Sequence, residues 1–197
     1  MNQFTRLLYW KLATPEFVDL LPVPRVRVAS GPFRGMRYVH DNQVGSISPR
    51  VLGTYELELH NCISEAAAIG FERIVDIGAS DGYYAVGLAR SGIGQVITAF
   101  EADEGSQRLL RKVAKLNGVD NIVVRGRCEI TDLNAALCPA KRSLVICDVE
   151  GFEMELLDPT LVNGLLRACW SNCTTAFVLD YLTSSVGDLN AHTRSKR

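Results

Sequence analysis

Glycines and acids crowd one short run of this chain. Asp76-Ile77-Gly78-Ala79-Ser80-Asp81-Gly82-Tyr83-Tyr84 follows an apolar stretch, and Glu101-Ala102 closes the next one. Glycine lets a backbone turn at positive φ and pass close to a ligand, and amides opening a following helix can face an anionic group. An acid roughly twenty residues past such a turn, at the end of the next strand, can take both hydroxyls of a ribose. The combination points to a nucleoside ligand. Two further acids, Asp148 and Glu150, follow a later apolar run. Close carboxylates raise each other's pKa, which suits a general base that orients or deprotonates a hydroxyl. Glu150, Glu153 and Glu155 equally suit the positive end of a helix dipole.

The turn also discriminates between nucleosides. A dinucleotide site wants Gly-x-Gly-x-x-Gly; here Ser80 replaces the middle glycine and the spacing is Gly78-x-x-x-Gly82. Asp76 would repel a pyrophosphate and would welcome an ammonium group. A ligand with a ribose at one end and an amino acid at the other fits, and S-adenosylmethionine is such a ligand. A nicotinamide-dependent oxidoreductase and a nucleoside-binding fragment without activity stand as the alternatives.

These residues need elements to hold them. The apolar runs 74–77, 96–100, 122–124 and 143–147 read as strands. Residues 82–90, 106–116 and 130–137 have helical spacing, with Asn117-Gly118 predicted as a left-handed cap. Strands apolar on both faces, alternating with helices, imply a parallel sheet covered on both sides. The predicted fold is Rossmann-like α/β, incomplete at its C-terminus. Residues 1–50 read as a cap: an amphipathic helix over 1–13, a stiff Leu21-Pro22-Val23-Pro24 linker, and a β-hairpin from 25–28 and 36–39. Residues 52–69 read as one helix. The core is expected over 51–168 and an atypical tail over 169–197.

Val75-Asp76-Ile77-Gly78-Ala79-Ser80-Asp81-Gly82, then Phe100-Glu101, then Cys147-Asp148-Val149-Glu150-Gly151-Phe152-Glu153 resembles the class I methyltransferases of the FkbM type, over about residues 51–157. The last of these motifs is the most family-specific. The resemblance implies S-adenosylmethionine-dependent methyl transfer, usually to a hydroxyl of a sugar or secondary metabolite, hence a small-molecule acceptor. It implies that Asp76, Gly78 and Gly82 line the methionine end, with Ala79, Ser80 and Asp81 completing the turn. Glu101 would hold the ribose, with Ala102 next to it in the cofactor site, and Cys128-Glu129 would sit by the adenine. Asp148 would lie near the sulfonium, with Glu150 beside it. Tyr83 and Tyr84 reach substrate or pack in the core; Tyr55 and Glu56 cap the cofactor or lie at the surface.

The 21 Lys and Arg against 22 Asp and Glu give a net charge of −1, which argues against nucleic-acid binding by bulk electrostatics. Hydrophobic residues at 47% with 22% charged fit a folded domain rather than a disordered chain. No apolar run is long enough to span a membrane. Cys62, Cys128, Cys138, Cys147, Cys169 and Cys173 form no Cys-x-x-Cys pair and stand apart from His40, His60 and His192, so no metal site is expected and the chain reads as cytoplasmic and reduced. None of this sets an oligomeric state. The tail breaks the pattern: residues 165–168 read as a helix about to deliver a fifth buried strand, yet Trp170-Ser171-Asn172-Cys173-Thr174-Thr175 follows. Reading across the codon boundaries of 169–175 permits Leu-Val-Glu-Leu-His-Asp, so a frame-shifted tail is expected, leaving the fourth strand with an open apolar edge. The plainer reading makes 174–182 a makeshift strand.

Overall fold

Alternating burial builds the sheet. Strands β1 (Phe71–Ile77), β2 (Gly94–Phe100), β3 (Ile122–Arg125) and β4 (Arg142–Cys147) are parallel, in the order β3-β2-β1-β4. Ile74, Ile97, Ala99, Leu144 and Ile146 face one core. Val75, Ile77, Phe100, Val145 and Cys147 face a second. This is the two-residue period of a strand buried on both sides. Ile77 stands opposite Phe100 on one neighbour and Cys147 on the other, so three carboxyl ends finish level.

The computed structural model describes residues 26–39, 47–137, 142–149 and Leu156, with the backbone of 165–170 and 177–182. The expected helix over 1–13, Glu150 and most of the tail lie outside the described residues. The first core is covered by α3 (Tyr83–Arg90) and α4 (Glu104–Asn117) and by the segment before the sheet; α5 (Ile130–Leu137) covers the second. Asp103 caps α4, accepting from the Ser106 amide at 2.6 Å, and Gly118 ends it in the left-handed conformation predicted.

The single helix expected over 52–69 is two. Helix α1 (Ser48–Leu52) stops at Gly53, and after a 3₁₀ turn α2 (His60–Ile69) begins. Gly53 at φ 70 and Glu56 at φ 44 break the run. A Cβ on Gly53 would lie 1.9 Å from the Ser30 carbonyl oxygen, so the break is also where the upstream hairpin packs. That hairpin is reduced to one antiparallel bridge, Arg27 with Arg37, flanked by Val28 N–H to Met36 O at 2.9 Å and Tyr38 N–H to Val26 O at 2.9 Å.

The tail departs from expectation. Residues 165–168 belong to a strand, β5 (Leu165–Trp170), which pairs antiparallel with β6 (Phe177–Leu182). Strand β6 lies antiparallel against β4, extending the order to β4-β6-β5. Pairing of the two segments overrides the helical spacing of the first. Strand β6 falls within the 174–182 segment, and β4 is paired along that edge. Cys128 and Cys147 are buried thiols, but Cys62 on α2 is disulfide-bonded, so the all-reduced reading fails there. Among the described residues no helix is long and apolar enough to cross a membrane.

Asn117 ties the hairpin to α4. Its side chain accepts from the Arg37 amide at 2.8 Å and donates to the Arg37 carbonyl at 2.7 Å, as a neighbouring strand would. Asn117→Ala should therefore cost about 1 kcal/mol of stability, the scale of a surface hydrogen-bond pair. A urea midpoint lowered at unchanged slope checks this.

Candidate functional site

The loops after β1, β2, β3 and β4 open into one cavity of about 820 Å³, within the size range of small-molecule sites. The sheet side of its wall carries Asp76, Gly78, Ala79, Ser80, Asp81, Glu101, Ala102, Cys128, Glu129 and Asp148. Of the predicted residues Gly82 and Glu56 are missing from the wall, and Glu150 lies outside the described residues. Pro49, Arg50 and Tyr55 face them from the segment before the sheet, with Tyr83 and Tyr84 of α3.

The glycine turn works differently from the reading of its sequence. Gly78, Ser80 and Gly82 have φ of 81, 49 and 86. A Cβ on Gly78 would meet the Asp148 carbonyl oxygen at 1.9 Å, and one on Gly82 would meet Leu110 Cγ at 2.7 Å. These glycines make room for the protein itself rather than for a ligand. Nor do the turn's amides await an anion. Gly78 and Ala79 donate to the Phe100 carbonyl at 2.9 and 3.0 Å, and Ser80 to Glu101 Oε2 at 2.7 Å. Gly82 donates to Ala79 O at 2.8 Å and Tyr83 to Asp81 Oδ1 at 3.3 Å. Five amides of the expected anion cradle are thus used within the protein.

What the wall offers instead is negative charge. Asp76 is 2% exposed, and its Oδ2 has no hydrogen-bond partner. Burial pushes its pKa up to about 7; the Ala85 amide opposes this, while Asp148, Glu101 and Asp81 add to it. Glu101 is half-buried and holds the Ser80 and Asp103 amides at 2.7 and 2.8 Å, one on each oxygen. A carboxylate has about four lone-pair sites, so it retains capacity for hydroxyl donors. Cys128 is buried, its thiol pushed up to about 12 by burial first and then by Asp132 and Glu129. Glu129 is exposed and pairs with Arg127 at 3.4 Å. Asp148 is half-buried, its amide donating to Ile77 O at 2.9 Å.

Asp81 serves the fold as well as the cavity. It accepts a hydrogen bond from Tyr38 Oη and forms an ion pair with Arg50 at 3.7 Å. Arg50 also lies 4.6 Å over the Tyr55 ring, a cation–π contact. Tyr83 and Tyr84 are both buried, in an edge-to-face cluster with Phe33 and Tyr55, and Tyr84 Oη donates to Glu56. Sequence reading missed Arg50 and Tyr38, since nothing local marks an arginine whose acid partner is thirty positions away. Among the described residues no cluster of His, Cys, Asp or Glu could hold a metal ion.

No family model matches the chain, and no curated protein does. Among solved structures it is similar to yhhF of Escherichia coli, at 16% identity over 81% of this chain and 98% of that one, TM-score 0.47. It is similar to an rRNA methylase of Streptococcus thermophilus, at 12% identity over 63% and 95%, TM-score 0.43. It is similar also to M. jannaschii TYW2 in complex with AdoMet, at 16% identity over 61% and 73%, TM-score 0.40. These scores lie below 0.5, and the likenesses give the chain neither an activity nor a substrate.

Asp76 makes stability depend on pH. Its folded pKa near 7 exceeds that of an unfolded aspartate, so the folded state binds the extra proton between about pH 4 and 7. Stability should fall as pH rises through 7, and Asp76→Asn should flatten that slope. Thermal melts of both proteins from pH 5 to 8 check it; parallel slopes would place the buried charge elsewhere.

Proposed function

We propose that the cavity binds S-adenosylmethionine and that the chain transfers its methyl group to a hydroxyl oxygen of a small molecule, in the manner of the FkbM-type methyltransferases. One observation carries the reading. Five of the turn amides that would cradle a phosphate are spent inside the protein, while a buried carboxylate with a partnerless oxygen stands in the same wall. That wall suits a cationic group and disfavours the pyrophosphate of a dinucleotide.

The residues present fit the cofactor. Asp76 would take the ammonium, and Glu101 the ribose hydroxyls. Ala102, Cys128, Glu129 and Ile130 would flank the base. When bound, the cofactor supplies an electrophilic methyl group on a sulfonium. Everything else falls to the chain. Asp148 lines the cavity within electrostatic reach of Tyr55, and it would orient an acceptor hydroxyl and hold its proton. Glu150, two residues on, is the second candidate for that proton. Much of the rate would come from fixed geometry, since a displacement needs its two reacting atoms in line.

S-adenosylhomocysteine should raise the melting temperature and NADH should not, because binding to the folded state alone stabilises by RT ln(1 + [L]/Kd), about 2.7 kcal/mol at a hundredfold excess over Kd. A flat response to S-adenosylhomocysteine in a folded sample would remove the assignment. Glu101→Ala should weaken that binding by about 1–3 kcal/mol, the scale of a lost charged hydrogen bond. Glu104→Ala serves as the control, since Glu104 is exposed and pairs only loosely with Arg108 at 3.7 Å. Equal losses in calorimetry would mean a different acid holds the ligand.

A further inference from the structure

The cavity has a wall that the cofactor does not account for: Pro49, Arg50 and Tyr55, with Tyr83 and Tyr84. Tyr83 lines the cavity, and its Oη is buried without a hydrogen-bond partner. Burial raises the ionisation of this phenol far above neutrality, so it remains a donor in search of an acceptor. An unsatisfied buried donor is costly, and a ligand oxygen relieves that cost. Tyr55 is half-buried, bonds through its hydroxyl to Glu56, and lies within electrostatic reach of Asp148. With its proton directed to Glu56, its oxygen accepts from Arg50 and keeps a second lone pair for a ligand hydroxyl.

The charges around this wall decide which ligand it tolerates. Arg50 faces Asp81 at 3.7 Å, and Glu56 and Asp148 both act on Tyr55. An anion would enter an excess of negative charge. A cation would compete with Arg50, which already occupies the Tyr55 ring face and pairs with Asp81. An uncharged molecule carrying both O–H donors and oxygen lone pairs meets neither obstacle, and both phenols can serve it.

We propose that this wall is the acceptor subsite and that it takes an uncharged hydroxyl compound, with Tyr83 Oη donating to one of its oxygens and Tyr55 Oη accepting from one of its hydroxyls. The assignment rests on the cofactor reading above, so the test separates the two. S-adenosylhomocysteine is first titrated by calorimetry into the wild type, Tyr83→Phe and Tyr55→Phe. Each loaded protein is then probed by saturation-transfer NMR with two series that differ in charge: methyl glucoside, glucuronate and glucosamine, and catechol, 3,4-dihydroxybenzoate and dopamine. Tyr83→Phe keeps the ring and removes only the partnerless hydroxyl, so it should fold at least as well as the wild type. The uncharged member of at least one series should bind most tightly, and each variant should weaken it about fivefold while holding S-adenosylhomocysteine within about twofold of wild type. Tightest binding by a charged probe, binding by no probe, or variants that bind as the wild type does would overturn the proposal and leave the cofactor reading standing. Absence of S-adenosylhomocysteine binding to the wild type would overturn both.

Discussion

Three strand ends meet at a residue with no side chain. The Gly78 amide donates to the last carbonyl of β2, and the Asp148 amide after β4 donates to the last carbonyl of β1, each at 2.9 Å. Between them the Asp148 carbonyl oxygen fills the place where a Cβ would stand, 1.9 Å away. Glycine at 78 thus answers two demands at once, a φ of 81 and a backbone contact that no other residue permits. The cavity depends on this contact. It sets the β1 turn against the β4 loop, and the turn then directs Ser80 to Glu101 and Asp81 inward.

Asp81 carries the constraint to the other side of the cavity. A carboxylate that is 3% exposed must be paired, and its partners come from the hairpin through Tyr38 and from α1 through Arg50. The same carboxylate holds the Tyr83 amide at the start of α3. One buried acid therefore fixes the glycine turn, the first amide of the following helix and the N-terminal wall together. Removing either partner would leave a buried charge undercompensated, which costs more than the pair itself contributes. The N-terminal segment is thus part of the site rather than a decoration on it.

How much of this was legible in the sequence follows from which forces are local. The four parallel strands and the helices between them were legible because their apolar spacing is a property of each segment alone. The cavity's sheet wall was legible too, since strand ends in such a sheet face one way. Three things were not. The break at Gly53 depends on contact with Ser30, and the pairing of β6 with β4 depends on segments far apart in the chain. The destination of the turn's amides was also hidden: Gly78 and Ala79 bond to Phe100 and Ser80 to Glu101, partners supplied by the neighbouring strand. A glycine turn before a helix looks the same in sequence whether its donors wait for a phosphate or are already used.

That last distinction governs the electrostatics of the cavity. Asp76, Asp81, Glu101, Glu129 and Asp148 line it against Arg50 and Arg127, each of which faces an acid. Several carboxylates cannot all ionise cheaply in a partly dry space, and the one most deeply buried gives way first. Asp76 does so, titrating near 7 rather than in the ordinary carboxylate range. A proton therefore occupies part of the role that a ligand's positive charge would take. The two would compete for one site, so a cation entering beside Asp76 would displace that proton.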